Sequence, residues 1–161
     1  MKNLKVKLTK ILEVTCISLF VIITIIGLYQ IITRYVFNSP STISEELLTF
    51  LFTWMALLSA ALVFGKREHM RMSYVANFFT GKKGIYLSII SEVVVLLFAA
   101  LILIYGGIAI TKLTTTQITA SLGVSMALIY VVVPISGVLT VIYNIFNINE
   151  LILELKAEKS K

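Results

Sequence analysis

The chain has 161 residues, of which 58% are hydrophobic and 14% are charged. A soluble domain of this size is about 45–50% apolar and ~25% charged, so this chain has too few polar residues to cover a water-facing surface. The composition excludes an ordinary soluble enzyme. It indicates an integral membrane protein, because the apolar residues form blocks that reach the roughly 20 residues needed to cross a bilayer.

The net charge of +6 does not indicate nucleic-acid binding. The basic residues flank the apolar blocks instead of forming a stripe interleaved with aromatic residues, and membrane orientation explains this distribution better. The single cysteine, Cys16, has no partner for an intramolecular disulfide and lies inside the first apolar block. We expect it to be a small buried hydrophobic residue.

Four apolar blocks predict an all-α integral membrane fold, a single domain whose transmembrane helices cover residues 11–37, 47–65, 85–110 and 124–146. The lysine-rich start of the first block resembles a secretory signal, but the apolar region is too long and no small-residue cleavage site follows, so we expect a permanent span. Pro40 is expected to end the first helix, and Thr42 with Glu45 fits a capping box that starts the second. Pro134 is expected to kink the fourth helix.

Lysine and arginine counts predict the orientation. Four lie before the first span, five lie in the segment Lys66–Lys83 and three lie in the tail, which together make twelve of the fourteen in the chain. The other two connections hold only Arg34 and Lys112. Because positive charge marks the cytoplasmic side, both termini and the middle loop are predicted to be cytoplasmic.

The middle loop contains residues 70–79, a short apolar-rich stretch between basic ends. Two interpretations remain open for it. The stretch forms a short amphipathic helix in the cytoplasmic membrane interface, or it is a plain loop.

Charged and polar groups near the spans are candidates for function because lipid penalises them. Glu92 is the deepest acid in the sequence, and it is either a proton or cation ligand or, in the interpretation we favour, a structural acid paired with a basic group. Arg34 is close enough along the chain to pair with Glu45 or Glu46. Trp54 lies several residues inside the second span, so we expect its indole N–H to have a protein acceptor.

The sequence contains no recognisable motif for catalysis or cofactor binding. His69 is the only histidine and lies in a loop, which excludes a bis-haem subunit. No zinc, phosphate-binding or nucleophile motif occurs, and no repeat with broken helices indicates a transporter that works alone. The sequence therefore predicts no enzyme and no metal or cofactor bound by this chain.

Several short motifs, in their order along the chain, resemble one known family. They are Arg34-Tyr-Val-Phe37, Ser44-Glu-Glu46, Phe52-Thr-Trp54 and Gly65-Lys-Arg-Glu-His-Met-Arg71. Together with four spans over about residues 10–147, they are similar to the small membrane subunit (DctQ type) of tripartite ATP-independent periplasmic (TRAP) transporters. Ile43 departs from the resemblance, because a tryptophan is expected before the Ser-Glu-Glu run.

The resemblance implies a scaffold without an active site of its own, in the bacterial inner membrane. A large membrane subunit (DctM type) is expected to hold the substrate and sodium sites, and a periplasmic binding protein is expected to deliver an organic acid such as a C4-dicarboxylate or sialic acid. By motif and by membrane position, the candidates for intersubunit or structural contacts are Arg34, Glu45, Glu46, Trp54, Arg67, Glu68, His69, Arg71 and Glu92.

Two other classes of function remain as alternatives. One is an autonomous small multidrug-type transporter in which Glu92 binds protons and cationic drugs. The other is an accessory or assembly anchor for an enzyme, with no role in transport.

Overall fold

The computed structural model of the protein describes residues 2–66 and 82–159. The regular structure of this part is helical, apart from one isolated antiparallel bridge between Ile118 and Ser125. The elements are α1 (Lys2–Tyr35), α2 (Thr42–Lys66), α3 (Lys82–Phe98), a π-helical segment (Ala99–Gly106), α4 (Gly107–Leu113), α5 (Ala127–Tyr130) and α6 (Val132–Lys159).

Four helical stretches are long and apolar enough to span a membrane, namely Asn3–Tyr35, Thr42–Lys66, Gly84–Leu113 and Ala127–Leu153. The predicted all-α class with four transmembrane helices is therefore confirmed. Helix α1 begins before the predicted 11–37 but ends two residues short of it, and α2 extends beyond the predicted 47–65 at both ends. The extensions run into the polar residues that flank each apolar block. The predicted interfacial helix at residues 70–79 lies outside the described residues.

The packing order places α2 and α6 at the centre. Helix α1 packs against α2, α2 packs against α6, and the third span (α3, the π-helical segment and α4) packs against the other side of α6. Of the 18 most apolar consecutive residues in each span, 39% are buried in the fourth span, compared with 6% in α1. The core cluster joins α1, α2 and α6 through Leu12, Leu58, Val132 and Tyr143.

The connection between α1 and α2 follows the predicted break with one correction. Helix α1 ends at Tyr35, Asn38 takes a left-handed backbone conformation (φ 48°), and Pro40 follows. The cap of α2 is Ser41, whose Oγ accepts the backbone N–H of Ser44 at 3.3 Å. The predicted cap at Thr42 is wrong by one residue, because Thr42 is already the first helical position and Ser41 supplies the hydroxyl.

The third and fourth spans approach closely at two glycines. A Cβ on Gly107 would lie 2.8 Å from Cδ of Pro134, and a Cβ on Gly137 would lie 2.8 Å from Cβ of Leu103. The helical hydrogen-bond pattern is interrupted at Val131, between α5 and α6, although the backbone there stays right-handed helical (φ −61°). Pro134 explains the interruption, because it has no N–H to donate to the carbonyl of Tyr130 four residues earlier.

Candidate helix-joining site

At the terminal end of the bundle, where α1 begins and α6 ends, Lys5 joins these two helices. Its Nζ donates to Oδ1 of Asn147 at 2.9 Å and forms an ion pair with Glu150 at 3.0 Å. The amide nitrogen Nδ2 of Asn147 donates to the backbone carbonyl of Phe64 at 3.2 Å. One fully buried asparagine therefore connects α6 both to the start of α1 and to the end of α2.

Two further contacts strengthen this end. Lys66 Nζ lies 2.8 Å from a carboxylate oxygen of Glu13, which joins α2 to α1. The hydroxyl of Tyr143 is hydrogen-bonded to the hydroxyl of Thr9 at 3.2 Å, which joins α6 to α1. The Tyr143 ring fits against the bare backbone of Gly65, where a Cβ would lie only 2.6 Å from the ring.

A row of polar side chains follows the buried face of α6. We call this row, formed by Ser136, Thr140, Asn144 and Asn147, the polar seam; each member is 2% exposed or less. Ser136, Thr140 and Asn144 each donate to a carbonyl within their own helix, at 2.8 Å, 2.8 Å and 3.1 Å. Within the described part of the chain, Oδ1 of Asn144 has no hydrogen-bond partner.

Glu46 joins α2 to the connection between the third and fourth spans. Its Oε2 accepts the backbone N–H of Ser121 at 2.7 Å and of Leu122 at 3.1 Å. The same connection is closed internally, because Thr119 N–H donates to the Val124 carbonyl at 2.9 Å. We call the Glu46 contacts the outer clamp; they are the counterpart of the Lys5 contacts at the opposite end of the molecule.

Trp54 has the protein acceptor expected for it. Its Nε1 donates to the backbone carbonyl of Leu128 at 3.3 Å. The contact joins the middle of α2 to α5, and the indole N–H is thereby removed from lipid. The expectation for this side chain is confirmed.

The expected pair between Arg34 and an acid of α2 is wrong. Arg34 is exposed and forms no ion pair with any described residue, and Glu46 instead accepts the two backbone N–H groups of the outer clamp. Glu45 is also exposed. Glu46 does not pair with Arg34, because one of its carboxylate oxygens accepts two backbone N–H groups at short distance.

Glu92 is 5% exposed and takes part in an interaction with another residue, so it is not an isolated charge. The close contacts of Gly107 with Pro134 and of Gly137 with Ile104 fix an antiparallel register. Extended along the helices, this register places position 92 opposite about position 149 of α6. Glu92 therefore lies near the level of Asn147 and Glu150, at the terminal end, which supports its structural interpretation over a mid-bilayer ligand.

The remaining predicted contact residues, Arg67, Glu68, His69 and Arg71, lie outside the described residues. Sequence reasoning missed the roles of Lys5, Asn144 and Asn147. A signal was present for the two asparagines, since polar amides at a spacing of three or four residues in an apolar helix share one face. The geometry joins helices of this chain to one another at both ends of the bundle.

Comparisons with known proteins agree with this description. Residues 23–154 match the family of the DctQ component of tripartite ATP-independent periplasmic transporters. The chain is 30% identical over 139 residues to a Haemophilus influenzae protein named as a TRAP transporter small permease protein, with 86% of each chain covered. It is 26% identical over 163 residues to the Vibrio cholerae sialic acid TRAP transporter small permease protein SiaQ, with 99% of this chain and 94% of that one covered.

A third relative is much longer than this chain. The Haemophilus influenzae sialic acid TRAP transporter permease protein SiaT is 28% identical over 122 residues, which are 76% of this chain and 20% of that protein. A sequence similar to this chain thus occupies about one fifth of a larger permease.

Proposed function

The chain belongs to the DctQ component family of tripartite ATP-independent periplasmic transporters, and on that premise we propose that it is the scaffold on which a large membrane subunit carries out sodium-coupled, binding-protein-dependent uptake of an organic acid. In this proposal the substrate and sodium sites lie in the large subunit. A periplasmic binding protein delivers the acid, and this chain fixes the immobile part of the complex in the inner membrane.

The observation that carries the proposal is the match to the longer permease. Because a segment similar to this chain makes up 20% of that protein, the segment and the remaining four fifths are joined covalently there. A separate small chain of the same kind is expected to associate with a separate large chain by non-covalent contacts.

The geometry supports a static role. The polar side chains buried between α1, α2 and α6 bind these helices to one another at the terminal end, and the outer clamp binds α2 to the opposite connection. Buried polar groups that are satisfied in this way hold a unique packing. A rigid unit of this kind enlarges the fixed part of a complex, against which a mobile part moves substrate.

Sialic acid is the first substrate to test, because two relatives carry that acid in their names. A C4-dicarboxylate is the second. Both are carboxylates at neutral pH, so the large subunit must supply cationic or hydrogen-bonding groups for an anion.

The proposal is tested in proteoliposomes that contain the large subunit, with its binding protein added outside. Sodium-driven uptake of labelled substrate is measured with and without this chain. We expect uptake only when the chain is present. Equal uptake in its absence contradicts the scaffold role, and concentrative uptake by this chain alone favours the autonomous transporter with Glu92.

A further inference from the structure

On the outer half of α1, at the end opposite the termini, the space beside Gly27 is open. Ser59 lies 3.5 Å from Cys16 and Lys66 lies 2.8 Å from Glu13, so the two helices are antiparallel and in contact at mid-helix and at the terminal end. In that register, position 27 of α1 faces positions of about 48–52 of α2. A Cβ placed on Gly27 nevertheless meets no atom within 4 Å.

The open space at Gly27 lies on the same face of α1 that packs against the core cluster nearer the terminal end. Leu12, Cys16 and Leu19 contact the core cluster, and Gly27 follows Cys16 by three helical turns, on the same face. Across the gap, Phe52 of α2 is 58% exposed. We call this space, lined by Gly27, Gln30 and Arg34 of α1 and by Glu45 and Phe52 of α2, the α1–α2 cleft.

The polar residues of the α1–α2 cleft lie at or just inside the membrane boundary, where polar side chains need partners that hydrocarbon does not provide. The distance along α1 from Glu13 to Arg34 is about 31 Å, close to the ~30 Å of a hydrocarbon core, so Arg34 marks the outer boundary. Gln30 lies about 6 Å inside that boundary. An amide left without a partner in hydrocarbon is costly, and such residues usually face protein.

Every threonine of α1 donates to a carbonyl of its own helix, whereas the carboxamide of Gln30 does not. The exposed Thr15 and Thr24 donate to carbonyls of their own helix, at 2.9 Å and 2.8 Å. The backbone carbonyl of Gln30 accepts from Thr33 at 3.0 Å, but its carboxamide has no partner among residues 2–66 and 82–159. Arg34 and Glu45 form no ion pair in the same part of the chain.

We propose that the α1–α2 cleft is the docking surface for a transmembrane helix of the large subunit. Gly27 provides the space for a close approach, and Gln30, Arg34 and Glu45 provide polar contacts to that helix. The complementary helix is expected to present amide or hydroxyl groups to Gln30 and groups of opposite charge to Arg34 and Glu45 near the outer boundary. The proposal rests on the proposed function and names the surface through which it operates.

A bulky residue at position 27 distinguishes a protein helix from lipid. A Cβ at position 27 meets no atom within 4 Å in the isolated chain. The leucine of Gly27→Leu suits lipid, but it fills the space that a partner helix needs. Ser18→Leu is the control, because Ser18 is exposed and lies on the opposite face of α1. Each variant is co-expressed with the tagged large subunit, and the amount of this chain that co-purifies is measured.

We expect Gly27→Leu to reduce co-purification about 5-fold or more, as overpacking by one large side chain does, while Ser18→Leu leaves it unchanged. The thermal midpoint of each chain purified alone shows whether its own fold is intact. Undiminished co-purification of Gly27→Leu overturns the proposal and assigns the cleft to lipid. Failure of the unchanged chain to co-purify overturns the proposed function itself.

A second measurement does not depend on how Gly27→Leu folds. Phe52 is replaced by p-benzoylphenylalanine, and the complex is irradiated in membranes; Tyr105 of the third span, which is 76% exposed, is replaced in the control. We expect a covalent product of Phe52 with the large subunit, identified by mass spectrometry. A product from Tyr105 and none from Phe52 contradicts the proposal.

Discussion

At the scale of single residues, Glu46 binds the backbone of the connection between the third and fourth spans. Its carboxylate accepts two backbone N–H groups, and charge-assisted hydrogen bonds of this kind are about twice as strong as neutral ones. We expect Glu46→Gln to speed hydrogen exchange of the Ser121 and Leu122 amides several-fold. Glu45→Gln is the matched control, because Glu45 is exposed, and unchanged exchange in both variants contradicts the outer clamp.

Gly65 is a second residue whose role is local and steric. A Cβ there would lie 2.6 Å from the ring of Tyr143, which is fully buried and hydrogen-bonded to Thr9. We expect Gly65→Ala to destabilise the chain by about 1–3 kcal/mol, measured as a lower thermal midpoint in detergent, because the ring has little room to move.

Gly27→Ala is the control for that substitution. No atom lies within 4 Å of its added Cβ, so the change is expected to be neutral or to stabilise α1 by about 0.5–1 kcal/mol. Equal destabilisation by both alanines contradicts the steric explanation.

Single residues differ in how far sequence alone predicts their contacts. An acceptor for Trp54 was predictable, because an indole N–H several residues inside a transmembrane span needs a protein partner. The partners of Lys5 were not predictable, because a lysine in a basic N-terminal run has the pattern of an interface charge, and Asn147 is 142 positions away. The Arg34 pair failed because closeness along the chain says nothing about the N–H groups that Glu46 accepts.

At the scale of elements, α1 is held mainly by its first half. Lys5 contacts Asn147 and Glu150, and Glu13 contacts Lys66, whereas the outer half of α1 faces the cleft. We expect Lys5→Met to destabilise the bundle by about 1–3 kcal/mol, because it removes the hydrogen bond to Oδ1 of the buried Asn147 and the ion pair with Glu150. Lys7→Met is the control, since Lys7 is exposed, and a matching loss of thermal midpoint in both contradicts a specific role for Lys5.

The contact of α1 with α2 is open to a direct chemical test. The hydroxyl of Ser59 lies 3.5 Å from Sγ of Cys16. We expect Ser59→Cys to form a disulfide with Cys16 on mild oxidation, detected as a linked pair of peptides by mass spectrometry. Ala60→Cys, one position along α2 and exposed, is expected to stay reduced, and a disulfide there contradicts the described helix register.

The four helices were predictable from hydropathy, but their internal details were not. The π-helical segment Ala99–Gly106 consists of apolar residues and glycine, a composition that suits a transmembrane α-helix equally well. It lies where Leu103 and Ile104 meet Gly137 of α6, so its environment is set by tertiary packing. The cap of α2 is Ser41 and not the predicted Thr42, because two hydroxyl residues in succession both suit a cap.

At the scale of the whole molecule, the order of helix packing was not available from the sequence. Composition predicts four spans, but the choice of α6 as the central helix depends on the buried polar seam and the close contacts at Gly107 and Gly137. The polar seam explains why the fourth span is less apolar than the third, since its buried face is matched to protein. The faces of α1 and the third span that remain exposed are rich in bulky apolar residues, as a membrane surface requires.

The orientation of the whole molecule is the last expectation to test. The contact of Lys5 with Asn147 places both ends of the described chain on one side, and the distribution of lysine and arginine predicts that this side is cytoplasmic. In a Cys16→Ser background, Thr116→Cys and Asn3→Cys each introduce one exposed thiol, at opposite ends of the molecule. We expect a membrane-impermeant maleimide to label Thr116→Cys in spheroplasts and to label Asn3→Cys only after permeabilisation. The reverse pattern inverts the orientation. Labelling of both thiols before permeabilisation contradicts the single orientation that twelve of the fourteen lysines and arginines favour.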